Sequence, residues 1–334
     1  MTIHPPLPHV VVLATGGTIA GSAASATDST GYRAGTGAVD DLFAAVPQAR
    51  ELARLTGEQF ASMDSSDLTD EILLALARRV AELLASDDVD GVVVTHGTDT
   101  IEESAYFLHL VLDSAKPVVL TGAMRPATAL SADGPMNFYG AVAVASAPLS
   151  AGRGVLVVMN DDIHSARDVT KTSSLRVGSF ESPYGPLGTV IDGQPRFYRA
   201  VSRPHTSATE FSLASIRSLP SSGILFAHSG VDDSVAAALD ATRFDVIVHA
   251  GFGNGTVSSR IVEPLEAARR AGAVVVRATR TGSGHVTHQG ASGELVNGWI
   301  SVDDQNPQRA RILACLALSV TSDQDEIQRI FDTY

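Results

Sequence analysis

The sequence predicts an α/β fold in two domains. The larger, N-terminal one has a mostly parallel sheet with flanking helices; the smaller, C-terminal one is also parallel α/β. Three observations predict this. Short apolar runs such as Val10 to Ala14, Gly91 to Val94 and Gly154 to Met159 are bounded by glycine or turn residues and read as strands buried on both faces. Segments of helical period alternate with these runs, which implies right-handed βαβ units and a parallel sheet. The stretch 201–221 is rich in Pro, Ser and Thr and reads as a linker, separating a domain at 1–200 from one at 222–334.

Taken in order, the first strand ends in Thr15-Gly16-Gly17-Thr18. Two glycines there allow a sharp turn and a close approach of backbone to ligand. Residues 21–36 are rich in Ala, Ser, Thr and Gly around one aromatic, Tyr32, and read as a mobile loop of the length of a lid. A short helix over 39–46 is ended by Pro47. A weak strand at 58–64 leads into Ser65-Ser66-Asp67, and a strongly amphipathic helix starts near Thr69. The strand at 90–94 runs into Thr95-His96-Gly97-Thr98-Asp99-Thr100 and a helix from Ile101 to Leu112. A strand at 117–120, a helix near 135–147 and a strand at 154–159 complete the first domain. In the second, strands are expected at 224–228, 244–249 and 273–278, and helices near 232–241, 258–271, 306–320 and 323–332.

Composition narrows the function. At 334 residues the chain has room for two domains, and 44% apolar with only 5% aromatic residues suits a Val/Leu/Ile/Ala core of sheet and helices. A net charge of −13 argues against nucleic acid or an anionic membrane as partner. No run approaches the roughly 18 apolar residues of a membrane span. The N-terminus lacks a basic leader and runs straight into the first strand. The expected location is therefore cytoplasmic, with loss of an export signal as the alternative. The single cysteine, Cys315, lies in an apolar helical pattern and reads as a buried, inert thiol. Only two of the 24 basic residues are lysine, Lys116 and Lys171. A lysine kept in an arginine-rich chain points to a need for a compact amine that can lose its proton when desolvated.

Three strands of the first domain end in polar residues: Thr15 and Thr18; Thr95, Thr98 and Asp99; and Asn160, Asp161 and Asp162. In a parallel sheet these turns fall on one edge, where ligands bind. Thr98 and Asp99 begin a helix, a place that favours anions and suits a small carboxylate-bearing substrate; a plain N-cap is the other reading. A threonine is a poor nucleophile until a base takes its proton. Lys171, buried beside Thr98, suits that task, with Asp99 or Asp168 to orient it and Tyr32 doing the same for Thr18. His96 in its tight turn reads as a structural histidine, with a base as the alternative. No metal-ligand spacing and no phosphate-binding glycine motif occurs, so neither a metal nor a cofactor is expected.

These motifs resemble one family. ATGGTIAG (14–21), THGTDTIEESAYFL (95–108), TGAMRP (121–126), SADGPMN (131–137), MND (159–161), RDVTKT (167–172), YGPLG (184–188), AGFGNG (250–255) and NPQRAR (306–311) resemble the bacterial L-asparaginases, a family that includes the glutaminase-asparaginases. The resemblance implies hydrolysis of L-asparagine to L-aspartate and ammonia without a cofactor. It also implies a homotetramer of intimate dimers, each site lying between one subunit's N-domain and its neighbour's C-domain. Thr18 matches the family's primary nucleophile and Tyr32 its lid partner, while Thr98, Asp99 and Lys171 match a second, rigid triad. Ser65 matches the binder of the substrate carboxylate and Asp99 that of its ammonium. Ala123 and Thr98 face the side-chain amide, and Asn254 reaches in from the neighbouring subunit. Gly17, Ser66 and Gly97 complete the expected binding set.

Two departures stand out. Ser66 replaces the Gln or Glu that many members turn to the substrate. Gly290 or Ala291 falls where members present an acid to the ammonium, Glu294 being the nearest and displaced. Both remove polar contacts from the α-substituent end, and weaker binding with altered glutamine tolerance is expected. The alternatives are a glutaminase-asparaginase of broad amide specificity, an amidotransferase-type homologue acting on aminoacyl-tRNA, which the acidic charge disfavours, and a non-catalytic amino-acid binding protein.

Overall fold

The computed structural model describes residues 6–28, 30–232, 234, 238, 244–288 and 298–334. The chain divides into two compact units, Met1–Thr209 and Glu210–Tyr334.

The first unit is built on an eight-stranded sheet. Its strands are β1 (His9–Gly16), β4 (Arg54–Met63), β5 (Gly91–Thr95), β6 (Val118–Thr121), β7 (Val155–Met159), β8 (Asp162–Ser165), β11 (Gly188–Ile191) and β12 (Gln194–Phe197), in the order β12-β11-β8-β7-β6-β5-β1-β4. From β4 to β7 every pairing is parallel, so five carboxyl ends share one edge. Strands β1, β5, β6 and β7 are buried along their whole length, as continuous apolar runs require between two helix layers. On one face Val10, Val12, Val93 and Val119 pack with α1 (Val39–Ala45), the single turn α2 (Ala49–Leu52) and α5 (Gly134–Ser146) through Phe43, Ala49, Phe138 and Val142. The other face carries α3 (Asp70–Leu84) and α4 (Ile101–Val111); Thr69 caps α3 by accepting from the Ile72 N–H at 3.3 Å.

Some segments differ from the sequence reading. Strand β4 begins at Arg54, four residues earlier than expected; polar alternation hides an edge strand that pairs β1 in register from His9↔Arg54. The stretch 21–36 contains two short strands, β2 (Ser22–Ala23) and β3 (Tyr32–Arg33), paired antiparallel. The Asp28 carboxylate closes the turn between them by accepting from the Gly31 N–H at 2.7 Å. Asn160, Asp161 and Asp162 do not open a crossover. Asn160 (φ 50°) and Asp161 (φ 66°) make a hairpin turn in which Met159 pairs Asp162, and the sheet runs antiparallel from there through β8, β11 and β12. The third polar cluster thus serves turn geometry, and its bonds run to Asn137, Thr189 and Val190.

A further short pairing joins β9 (Thr170–Lys171) to β10 (Phe180–Glu181). The second unit holds a parallel four-stranded sheet in chain order, β13 (Ser222–Phe226), β14 (Val246–Gly251), β15 (Val274–Thr279) and β16 (Ile300–Ser301). Its helices are α6 (Ser259–Arg270), α7 (Pro307–Ala317) and α8 (Gln324–Thr333). The helix expected near 232–241 lies largely outside the described residues. Residues 210–221 belong to this unit: the Phe211 ring packs tilted against Tyr334 with centroids 5.1 Å apart, and the Arg329 guanidinium pairs Glu210 at 2.7 Å. Cys315 is fully buried within α7.

Candidate active site

The site grows from the carboxyl edge of β1 and β5. Thr15 is buried and its hydroxyl donates to the Thr95 carbonyl at 3.0 Å, tying the two strand ends together. Just beyond, Gly17 adopts φ 77° and donates to the Met63 carbonyl at 2.9 Å. A Cβ on Gly17 would stand 2.5 Å from Gly97 Cα, so the two loops touch backbone to backbone. A Cβ on Gly97 would in turn run into the Ser65 side chain. Only glycine permits this approach. It sets side by side the two loops in which Thr18 and Thr98 are each the next residue.

Thr18 opens the 3-10 turn Thr18–Ala20 and is 6% exposed. Its Oγ1 lies 2.6 Å from the Tyr32 phenol oxygen, which β3 brings back over the turn. On the second loop, Thr98 and Asp99 precede α4, and Lys171 Nζ donates to both: 2.9 Å to Thr98 Oγ1 and 2.5 Å to Asp99 Oδ1. The lysine side chain is 17% exposed and the aspartate 60%, so the pair opens toward solvent on the carboxylate side. Asp99, and not Asp168, is thus the acid bonded to the amine; Asp168 pairs with the Arg167 guanidinium at 3.4 Å.

The remaining predicted residues surround these two centres. Ser65 is buried at the start of a short 3-10 turn, and its carbonyl accepts from the Thr100 hydroxyl at 2.9 Å. The neighbouring Ser66 hydroxyl donates to Asp64 Oδ1 at 2.8 Å, an acceptor it shares with its own N–H. Ala123 is fully buried at the end of β6, in a loop held by Asp133, which accepts from the Met124 and Arg125 N–H groups at 2.9 Å. His96 is a structural residue: Nδ1 lies 2.8 Å from the Gly97 carbonyl and Nε2 2.9 Å from Ser104 Oγ, while burial pushes its pKa down. Asn254 lies in the second unit, where its amide makes a reciprocal pair with Thr287 at 2.9 and 2.8 Å. Gly290, Ala291 and Glu294 lie outside the described residues.

One buried group escaped the sequence reading. Glu102, on the first turn of α4 and 5% exposed, accepts from Thr170 Oγ1 at 2.7 Å and from the Lys171 N–H at 2.8 Å. Its neighbours give the signal: past its first turn α4 is mostly apolar and buried, and a buried carboxylate must be bonded.

An α/β scaffold with two hydroxyls, one beside a phenol and one beside an amine–carboxylate pair, is compatible with a hydrolase. Comparison with known proteins specifies which. Residues 9–203 match the family model described as asparaginase, N-terminal, and residues 223–331 that described as glutaminase/asparaginase C-terminal domain. The chain belongs to the asparaginase family. It is 45% identical over 329 residues to the glutaminase-asparaginase of Pseudomonas fluorescens biotype A, covering 98% of this chain and 91% of that one. Against L-asparaginase 2 of Escherichia coli K12 the identity is 44%, covering 98% and 94%. The crystal structure of the probable cytoplasmic L-asparaginase of Campylobacter jejuni superposes with a TM-score of 0.94 at 46% identity, covering 98% of this chain and all of that one.

Proposed function

We propose that this enzyme hydrolyses L-asparagine to L-aspartate and ammonia through an ester on Thr18. The observation that carries the reading is the placement of Lys171 Nζ within hydrogen-bond reach of both Thr98 Oγ1 and Asp99 Oδ1, in a loop that touches the one bearing Thr18. In the first step Thr18 Oγ1 attacks the side-chain amide carbon. Its proton passes by way of the Tyr32 phenol to the departing nitrogen, the C–N bond breaks, and ammonia leaves. In the second step Thr98, with Lys171 accepting its proton, draws a proton from water; the hydroxide attacks the ester, the C–O bond breaks, and the proton held at Lys171 returns by way of Thr98 to the departing Thr18 oxygen. The Ala123 and Thr98 N–H groups are assigned to the oxyanion, where preorganised donors lower the barrier most. The Ser65 end holds the substrate carboxylate, and the solvent-facing side of Asp99 its ammonium.

Glutaminase-asparaginases among the relatives favour a second reading for specificity, in which L-glutamine is also cleaved. The Ser66 hydroxyl, turned onto Asp64, and the absence of an acid at 290–291 leave the α-substituent end thinly held. A glutamate introduced at 290–292 should lower KM for one or both amides; no change in either removes this account of specificity. The homotetramer with Asn254 reaching a neighbour's site is part of the proposal, and light scattering of the purified protein tests it. So is a cytoplasmic location. One relative is described as cytoplasmic and that of Haemophilus influenzae as periplasmic, so cell fractionation decides it.

The direct test is ammonia release from L-asparagine and L-glutamine by the wild type and Thr18→Ala. The wild type should turn over, and Thr18→Ala should lose at least about a thousandfold in kcat. An active Thr18→Ala refutes the assignment of the nucleophile.

A further inference from the structure

Among the described residues of the first unit one buried carboxylate, that of Glu102, has no task in the mechanism. Glu102 sits beside the Thr98–Asp99 turn and reaches the chain carrying Lys171, accepting from the Lys171 N–H and from the hydroxyl of Thr170. The opening of α4 therefore grips the lysine twice, its amine at Thr98 and Asp99 and its backbone at Glu102. The ladder at this point is short, since β9 and β10 pair through two residues each, and so little strand pairing sets the register of Lys171. A lysine side chain has four rotatable bonds, so where its amine rests depends on where its Cα is held. Hydrogen bonds to an ionised acceptor are about twice as strong as neutral ones, and they are stronger still out of water.

We infer that Glu102 is a positioning residue for the hydrolysis proposed above: it fixes the backbone of Lys171 so that the amine meets Thr98 Oγ1. The inference rests on that reading for its catalytic consequence, and on geometry alone for its structural one. A substrate-binding role is not required of it, so the effect falls on kcat.

The experiment compares Glu102→Ala, Glu102→Gln and Thr170→Val in the full chain. For L-asparagine, Glu102→Ala should lower kcat on the order of ten- to a hundredfold with KM changed less than about threefold. Glu102→Gln should recover part of the loss, because both bonds run to the single oxygen Oε2, whose place an amide oxygen can take, without the charge. Thr170→Val should cost less than either. A second readout needs no turnover. The chain has only two lysines, so labelling with an amine-selective acylating reagent, followed by peptide mass mapping, reports Lys171 against Lys116 as an internal standard. Labelling of Lys171 relative to Lys116 should rise severalfold in Glu102→Ala. A folded Glu102→Ala with wild-type kcat overturns the inference, whatever its labelling; so does a fall in kcat with unchanged labelling. If Glu102→Ala fails to fold, Glu102→Gln and Thr170→Val decide: wild-type kcat in both overturns it. If the wild type releases no ammonia yet labelling rises in the variants, the hydrolase reading falls and the anchoring of Lys171 stands.

Discussion

The two hydroxyl centres of the first unit use the same residue type on very different supports. Thr18 meets its partner across a 3-10 turn and a two-residue strand pairing, with Tyr32 half-buried. Thr98 lies between the fully buried strand β5 and helix α4, and its neighbours His96, Ser104 and Glu102 are each hydrogen-bonded. Tyr32 and Lys171 both sit on two-residue strand pairings, but Lys171 is held in addition through Glu102 by the buried start of α4. Local opening costs least where buried contacts are fewest, so under the proposed mechanism the first centre would open to substrate while the second keeps its geometry.

The strongest way to break this contrast is Lys171→Met. It removes the amine from the well-supported centre while keeping the stem's bulk, and turnover should fall by about a thousandfold. Binding of L-aspartate, measured by calorimetry, should change little. Retained turnover would mean that the second centre is scaffold only, and loss of binding with turnover would assign the lysine to substrate capture.

Tyr32→Phe acts on the lightly supported centre. It deletes the hydroxyl 2.6 Å from Thr18 but leaves the ring against Gly21, and kcat should fall by roughly ten- to a hundredfold. A loss equal to that of Lys171→Met would erase the distinction between the two centres.

Gly17→Ala strains the bridge between them. The left-handed φ and the collision with Gly97 should cost about 1–3 kcal/mol of stability, read from chemical denaturation, and turnover should fall with it. A neutral result would show that the loops need not touch.

The smallest effect separates the supports by pH. Residues 10–40 contain no histidine, whereas His96 and His109 are buried beneath and along α4. Burial lowers the pKa of both, that of His109 to about 3, helped by the charges of His205 and Arg167. An unfolded histidine titrates near 6.5, so below that pH the unfolded chain takes up protons that the folded one refuses. Stability should be full above about pH 6.5 and fall as the pH drops toward 4. His109→Gln should remove about 1 kcal/mol of that loss between pH 6.5 and 5.5. A melting curve whose pH dependence is unaltered by the substitution contradicts this.

The contrast also explains what could be read without coordinates. Lys171 stood out because arginine fills nearly every other cationic position, and Thr98 with Asp99 because a strand, a turn and a helix follow one another within a dozen residues. Strands buried on both faces announce themselves as apolar runs. Edge strand β4 showed only as a weak run at 58–64, because polar residues interrupt it from Arg54 on. The antiparallel extension through β11 and β12 was marked only by Asp192-Gly193, both with positive φ in a two-residue hairpin turn; an Asp-Gly pair is a recognised signal for that geometry, and its flanking runs are short. Glu102 is one of two adjacent glutamates opening α4, and sequence alone does not say which of them turns inward and so needs a partner. The reciprocal pair of Asn254 and Thr287 joins residues 33 apart in the chain, a closure no local pattern encodes.

The most direct measurement of the division of labour is a single-turnover experiment on Lys171→Met with L-asparagine, following ammonia release and the mass of the tryptic peptides together. The account predicts about one equivalent of ammonia per chain, a stall thereafter, and an aspartyl ester on the peptide containing Thr18. An ester on the peptide containing Thr98, or a burst that survives in Thr18→Ala, would contradict it.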